Sequence, residues 1–322
     1  MAQTAQALFR HEGKSLDFTA SAAITGGEVF QQADGRAAVC PVDVASGELG
    51  AAEVCGVFRL KLADNIAMLP GLPVYWDYSA NKATYKKVSD RDFFVGTAVA
   101  DTVGGTDKTV DVALNVLPTW DIDLARDAFL SVPTGTQVVG AFGFPKVLGG
   151  ANSLELTATS EAQCIDLLSV DRFDVAANAI VQAIFRPAVN GSTSAVDFNI
   201  GVATGTSTTD ADGTTENCFI HIDGGALTIL AQSDDNVTPV TAVDTTKVIV
   251  AGDAVANRTE VWFDLRNPAD IQIYVNGVNV LPDSVFAVAT GPLALLAHLE
   301  KTTGTATGRF IIDALRAHFS EN

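Results

Sequence analysis

The stretch Arg258–Val280, RTEVWFDLRNPADIQIYVNGVNV, decides the fold of the second half of the chain. In its first part an apolar series and a series of other residues take turns: Val261, Phe263 and Leu265 against Trp262, Asp264 and Arg266. Such alternation predicts a strand with one buried face. Asn276-Gly277 then predicts a tight hairpin turn, because both residues adopt positive φ at little cost. The stretch therefore predicts antiparallel sheet structure.

Working outward from this hairpin, the same short apolar runs continue over residues 151–322 and give about eleven strand segments, one of them KVIVAG at 247–252. That number of strands is typical of a two-sheet jelly roll. Residues 18–117 give seven more short segments, among them AEVCGVFRLK at 52–61, and favour a small β-barrel or sandwich. The fold class predicted for the whole chain is all-β.

Glycine and proline accumulate between these two regions, over residues 118–150, where strand alternation is weak. This composition predicts a linker, with one short helical turn in DIDLARDAF at 121–129. The predicted organisation is a first domain at 1–117, a linker at 118–150 and a second domain at 151–322.

The charge balance is strongly acidic, with 38 Asp and Glu against 20 Lys and Arg and a net charge of −18. Scattered basic residues in an acidic chain exclude nucleic acid as a partner, because phosphate binding requires clustered positive charge. Mutual repulsion would keep free subunits dispersed, although an acidic proteome would give the same composition. The chain contains no apolar run of membrane-spanning length, and its N-terminus lacks a secretory signal pattern. We expect no membrane partner and retention inside the producing cell.

Four cysteines occur, and their spacing fits neither a CxxC metal site nor a redox motif. A cytosolic origin disfavours disulfides, so we expect buried free thiols. Cys40 and Cys55 lie close enough in sequence to face each other across two strands, and the sequence leaves their state open.

The first region resembles a family of phage structural proteins found among capsid decoration and head-fibre proteins. Four segments carry the resemblance: AITGGEVF at 23–30, ASGELGAAEVCGVFRLKL at 45–62, GLPVYWDYSANKATY at 71–85 and FFVGTAVADTVGGTDKTVDVALN at 93–115. The resemblance implies a small β domain that binds the major capsid protein as a homotrimer. It also implies a place on the capsid exterior, reached by assembly in the host cytoplasm, and a role in capsid stabilisation.

The second region resembles concanavalin-like and laminin-G-like jelly rolls, through Arg258–Val280 and the closing segment RFIIDALRAHF at 309–319. Some members of that class bind sugars and some coordinate calcium. The weak calcium candidates of this chain are Asp210, Asp212 and Glu216, which lack the spacing of a twelve-residue calcium loop. Aromatic side chains supply possible surface-binding residues: Trp76, Tyr78, Trp262 and Tyr274. Core packing is the alternative role for these aromatic residues.

Catalytic motifs are missing from the sequence. Glycoside hydrolysis needs two converging carboxylates, and the nearest approach to such a pair is Glu260 and Asp264, which alternation places on one strand face with Trp262. The histidines show no zinc-binding spacing, and no GxSxG or phosphate-binding loop occurs. We therefore predict a protein that is not an enzyme and needs no cofactor or metal. The leading hypothesis is a capsid decoration subunit that displays a jelly roll. A carbohydrate-binding adhesion module on the virion is the alternative, and a capsid-borne depolymerase is a third possibility.

Overall fold

The computed structural model describes residues 13–124, 146–148, 151–191 and 194–319. The chain forms two compact units, Met1–Pro118 and Thr119–Asn322. Most of the predicted linker, including the end of the predicted helical turn at 121–129, lies outside the described residues. Within the described part of the chain, no helix is long and apolar enough to cross a membrane.

Two antiparallel sheets build the first unit. One sheet has the order β1-β4-β3-β2 and the other β5-β9-β8-β6-β7. Their strands are β1 (Ser15–Thr19), β2 (Val29–Gln31), β3 (Ala37–Val39), β4 (Leu49–Glu53), β5 (Val57–Lys61), β6 (Pro73–Asp77), β7 (Lys82–Thr84), β8 (Phe93–Ala98) and β9 (Thr109–Leu114). This arrangement confirms the predicted small all-β domain.

The predicted strand at 52–61 is wrong in one respect, because the chain leaves the first sheet after β4 and enters the second at β5. Gly56 lies between them with φ of 115°, a conformation that a residue with a side chain rarely adopts. Asn115 then ties the two sheets together. Its side-chain Oδ1 accepts a hydrogen bond from Ala37 N at 2.9 Å, and its Nδ2 donates to the carbonyl oxygens of Ala37 at 2.8 Å and Val54 at 2.7 Å.

The second unit is a jelly-roll sandwich of two antiparallel sheets, in agreement with the predicted concanavalin-like fold. Its larger sheet has the order β11-β12-β23-β14-β19-β20-β21, with β10 pairing β23. The strands of this sheet are β10 (Ile122–Asp123), β11 (Lys146–Leu148), β12 (Ala151–Glu155), β14 (Ala179–Val189), β19 (Thr259–Asp264), β20 (Gln272–Val275), β21 (Val278–Asn279) and β23 (Arg309–Phe319).

The smaller sheet of the second unit has the order β13-β22-β15-β16-β17-β18. Its strands are β13 (Gln163–Leu168), β15 (Val196–Ala203), β16 (Asn217–Asp223), β17 (Thr228–Asp234), β18 (Val240–Val248) and β22 (Ala294–Lys301). The predicted segment at 247–252 is therefore misplaced, because the strand ends at Val248 and Val250 is exposed.

One hydrophobic core fills the space between the two sheets of the sandwich. Alternate residues of each strand supply it, for example Phe198 and Ile200 from β15 and Val261 and Phe263 from β19. Phe198 stacks on Phe310 of the opposite sheet, with ring centroids 3.9 Å apart and planes 9° apart. Because side chains alternate along a strand, the residues between these core positions form the outward face of each sheet.

Candidate functional site

A buried row of polar side chains crosses the outward face of the six-stranded sheet. Strand pairing places Asp166 of β13 opposite His298 of β22, His298 opposite Asn199 of β15, and Asn199 opposite His221 of β16. Asp166, His298 and Asn199 are fully buried, and His221 is 6% exposed. Buried polar groups need partners to offset the loss of hydration, so the contacts within this row decide what it can do.

A second polar row lies next to the first, two residues along each strand. It places Glu300 of β22 opposite Asp197 of β15, and Asp197 opposite Asp223 of β16. Glu300 is 2% exposed, whereas the Asp223 side chain is 44% exposed. The two rows together concentrate carboxylates and histidines on one face, and solvent reaches them at Asp223.

The segment 204–216, between β15 and β16, makes hydrogen bonds to side chains of this face. Thr206 Oγ1 donates to Asp166 Oδ2, and Gln232 Nε2 donates to Asp212 Oδ1 at 2.6 Å. A small apolar cluster joins the segment to the sheet: Ala203, Ala211, Phe219 and Leu296. This segment therefore contributes to the burial of the first polar row.

His298 is held between two carboxylates. Its Nδ1 contacts Asp166 Oδ1, and its Nε2 lies 2.7 Å from Glu300 Oε2. Burial opposes a charge on the ring, but the hydrogen bonds with the two carboxylates outweigh it and raise the pKa of His298 to about 9. Burial raises the pKa of Glu300, and the contact with His298 opposes that shift. The ring is consequently an imidazolium at neutral pH.

His221 has a similar environment on the next pair of strands. Its Nδ1 lies 2.9 Å from Asn199 Oδ1 and 3.6 Å from Asp212 Oδ1, and its Nε2 lies 3.0 Å from Asp223 Oδ1. Burial again opposes the charge, but Asp212, Asp223 and Asp197 raise the pKa of His221 to about 9. Asn199 is the hydrogen-bond partner of Nδ1, because the Asp212 oxygen is beyond hydrogen-bond length.

Asp197 is the least satisfied carboxylate of the second row. Its Oδ1 is buried and has no hydrogen-bond partner among the described residues. Burial raises the pKa of Asp197 to about 7; His221 opposes the shift, while Glu300 and Asp223 add to it. One ligand atom each from Asp197, His221 and Asp223 lies within 4.8 Å of the other two, so these three residues are the described group able to hold a metal ion.

The weak calcium candidates do not form one site. Asp210 caps a 3-10 turn by accepting a hydrogen bond from Asp212 N at 2.8 Å, while the Asp212 carboxylate accepts from Gln232. Glu216 is 4% exposed and accepts hydrogen bonds from Thr290 N at 3.1 Å and Thr290 Oγ1 at 2.8 Å. The three carboxylates have separate partners, which corrects the expectation that they belong to one loop site.

Two of the four possible surface-binding aromatics are interior residues. Trp76 is 6% exposed and Trp262 is 1% exposed, with Trp262 Nε1 donating to Glu260 Oε1 at 2.7 Å. Tyr274 is half-buried, and its ring centroid is 6.0 Å from that of Trp262. Their apolar area is used in packing, which corrects the prediction of a surface role for Trp76 and Trp262.

Tyr78 is the exposed member of that group, with 44% of the residue accessible. The guanidinium carbon of Arg91 lies 3.4 Å from the centre of its ring, a cation–π contact. Both side chains line a cavity of about 390 Å³ in the first unit, together with Ile24, Phe30 and Phe93. This part of the first unit combines aromatic, cationic and apolar groups at the surface.

Glu260 and Asp264 share the outward face of β19 with Trp262, as alternation predicts, and each has a structural partner. Glu260 Oε1 accepts a hydrogen bond from Gln182 Nε2 at 2.6 Å, and Asp264 forms an ion pair with Arg266 at 2.6 Å. These contacts hold the two carboxylates within the larger sheet. The arrangement is that of a packed sheet surface.

Sequence reasoning missed His221 and His298 because it looked for histidine motifs along the chain. The useful signal is a pair of polar residues two positions apart on a strand: His221 with Asp223, and His298 with Glu300. Such spacing puts both side chains on one face. The strand order then brings the pairs together.

Comparison with known proteins supports the two-part organisation. Residues 10–114 match the family described as phage cement protein, which confirms the resemblance of the first region to a phage capsid decoration family. No curated protein matches the chain at a significant level.

Several solved structures are similar to the chain over its second unit and beyond. The carbohydrate recognition domain of Emp47p is 12% identical with a TM-score of 0.41, over 62% of this chain and 94% of that one. An endo-β-1,4-glucuronan lyase from Trichoderma reesei is 13% identical with a TM-score of 0.38, over 63% and 92%. A structure from work on endo-acting O-glycanases of the human gut microbiota is 11% identical with a TM-score of 0.39, over 57% and 85%. At these TM-scores the ligands and reactions of those proteins are not transferred to this chain.

Proposed function

We propose that this chain, whose residues 10–114 match the phage cement protein family, is a capsid decoration subunit of a tailed phage. Its first unit binds the major capsid protein on the exterior of the head, as a homotrimer. Its second unit, the jelly roll, is displayed outward like a head fibre. The role is one of shape and adhesion and involves no catalysis. The observation that carries the proposal is the family match, which covers nearly all of the first unit.

The surface of the first unit supports a binding role. Leu49 and Val57, at the starts of β4 and β5, are 73% and 62% exposed. Further large apolar side chains are exposed in the same unit: Val42, Val88, Val99, Val103, Val116 and Leu117. Apolar area removed from water on binding contributes about 25 cal/mol per Å², so such residues add affinity when a partner covers them. The net charge of −18 keeps unbound subunits apart in solution.

The test uses capsids of the parent phage that lack this chain. Purified protein is added, and binding is measured by co-sedimentation and cryo-electron microscopy, while light scattering gives the oligomeric state. We expect a trimer that saturates the capsid. Leu49→Asp and Val57→Asp should weaken capsid binding, and Val237→Asp, at an 81% exposed position of the second unit, serves as the matched control. A monomer without capsid affinity would contradict the proposal.

A second candidate function is carbohydrate binding by the displayed jelly roll. The observation that favours it is a polar cleft beside the buried rows, lined by Asp212, Asn217, Gln232 and Asp234. Convergent carboxylate and amide groups of this kind orient polar ligands through hydrogen bonds. A glycan array probed with the full chain tests it, with Gln232→Ala as the variant expected to lose any signal. An array without hits would remove this candidate and leave the capsid role intact.

A further inference from the structure

Three side chains on the outward face of the six-stranded sheet converge from two neighbouring strands. Asp197 of β15 lies directly opposite Asp223 of β16, and His221 precedes Asp223 by two residues. The register therefore places all three on one face at one end of the strand pair, with one ligand atom from each within 4.8 Å of the others. Because paired strands fix this arrangement, the convergence does not depend on a loop.

We propose that Asp197, His221 and Asp223 bind a divalent transition-metal ion, with zinc as the best match. One imidazole nitrogen and two carboxylate oxygens suit zinc, which binds such ligands at about 2.0–2.2 Å in a tetrahedral arrangement. Tetrahedral ligands at these lengths are about 3.3 Å apart, so small side-chain rotations would close the observed group around an ion. The histidine argues against calcium and magnesium, which prefer oxygen ligands throughout.

The surroundings of His221 orient it as metal-binding histidines are oriented. Asn199 is fully buried, and its Oδ1 lies 2.9 Å from His221 Nδ1. A proton on Nδ1 donated to this oxygen leaves Nε2 directed at Asp223, from which it is 3.0 Å away. A hydrogen bond to the second ring nitrogen that fixes the tautomer in this way is a regular feature of histidine metal sites.

The carboxylates of the site lack sufficient positive charge among the protein groups. Asp197 faces Asp223 on one side and Glu300 on the other, and the Oδ1 atom of Asp197 is buried without a hydrogen-bond partner among the described residues. A buried carboxylate oxygen without a partner is costly, and a bound cation is one of the few ways to satisfy it. The Asp223 side chain, 44% exposed, gives an ion a route from solvent.

Calorimetric titration of the full chain tests the proposal after removal of metals with a chelator. Zn²⁺, Mn²⁺ and Ca²⁺ are added separately. We expect one Zn²⁺ per chain, bound more tightly than Mn²⁺ in accordance with the general affinity order, and little affinity for Ca²⁺. Asp197→Asn and Asp223→Asn should each weaken Zn²⁺ binding at least about tenfold, because even the loss of a supporting partner has an effect of that size.

Asp171→Asn is the matched control, since Asp171 is an exposed aspartate of the same unit outside the group. It should bind Zn²⁺ as the unmodified chain does. Circular dichroism verifies the fold of each variant. If Asp197→Asn fails to fold, Asp223→Asn decides, because its side chain is partly in solvent. Visible absorption of the Co²⁺-loaded protein adds a direct readout of nitrogen coordination, which His221→Gln should abolish.

Absence of saturable Zn²⁺ binding would overturn the proposal, as would equal affinity in the unmodified chain and Asp223→Asn. The site lies wholly within the second unit and does not rest on the capsid role. A protein that binds capsids without binding zinc, or zinc without capsids, therefore separates the two proposals.

Discussion

The stability of the second unit should fall between neutral and alkaline pH, and His298 is the principal cause. The folded state raises the pKa of His298 from 6.5 to about 9, because Asp166 and Glu300 hold the ring between them. A histidine with a raised folded-state pKa contributes its full stabilisation below its unfolded pKa. That contribution is lost as the pH rises through the folded value, so the window of interest runs from 6.5 to about 9.

The size of the effect follows from the shift. A change from 6.5 to about 9 corresponds to about 3 kcal/mol of unfolding free energy, at about 1.4 kcal/mol per pKa unit. The His298 and Asp166 side chains have no exposed surface, so solvent screening removes little of this value. His221, whose pKa is also raised to about 9, adds a loss of the same sign in the same window.

A neutral replacement of the whole triad isolates the contribution of His298. The combined variant Asp166→Asn, His298→Gln, Glu300→Gln keeps the approximate shapes and removes all three titrating groups. The single change His298→Gln is less suitable, because it leaves two buried carboxylates without their cation and should cost roughly 3–5 kcal/mol. His318→Gln, on the larger sheet, serves as the control for a buried histidine.

Urea unfolding in the presence of a chelator, followed by hydrogen exchange of peptides from β22, provides the measurement. The unmodified chain and the His318→Gln control should each lose at least about 3 kcal/mol between pH 6.5 and pH 9. The triad variant should lose about 3 kcal/mol less over the same interval. Equal losses in the triad variant and the unmodified chain would refute the reasoning, as would a stability independent of pH.

Three further predictions concern local features of the first unit. Gly96→Ala should unfold the first unit at lower urea concentration, because a Cβ there would lie 2.0 Å from a backbone oxygen of β9, whereas Gly104→Ala, with its nearest atom at 3.4 Å, should be tolerated. Asn115→Ala should cost about 2–4 kcal/mol in chemical denaturation, since it removes three hydrogen bonds and strains a residue with φ of 59°; Asn115→Gly, which removes the strain alone, should cost less. Cys55 should be the one fast-reacting thiol in a thiol-exchange assay of native protein, because it is exposed and the other three cysteines are buried. A second fast thiol, or an asparagine or glycine pair with equal stabilities, would contradict these expectations.

The sequence was sufficient for the strands and the hairpin of the second unit. In β19 the apolar residues Val261 and Phe263 face the core, and Asn276-Gly277 makes the turn with φ of 51° and 78°. These features depend on neighbours along the chain. The expectation of buried thiols failed at Cys55, which follows the end of β4 and lies at the surface.

The polar rows were beyond sequence reasoning because they depend on strand order. Asp166 and His298 are 132 residues apart and meet only because β13 pairs with β22. Alternation indicates which face a side chain occupies, but it does not indicate which strand lies beside it. The candidate site is therefore a product of topology, and its residues look isolated when the chain is read in order.

The polar rows are not needed to hold the sandwich together, and this bears on where the function of the second unit resides. Burying charged groups costs nearly as much desolvation energy as their attraction returns, so well-packed apolar residues would stabilise the same face equally well or better. The inward faces already supply a continuous hydrophobic core. A face that keeps His221, Asp197 and Asp223 together at the edge of solvent is therefore best explained by a ligand that needs these groups. A bound cation would compensate their charge and couple the end of β15 to that of β16, making the displayed unit more stable when loaded.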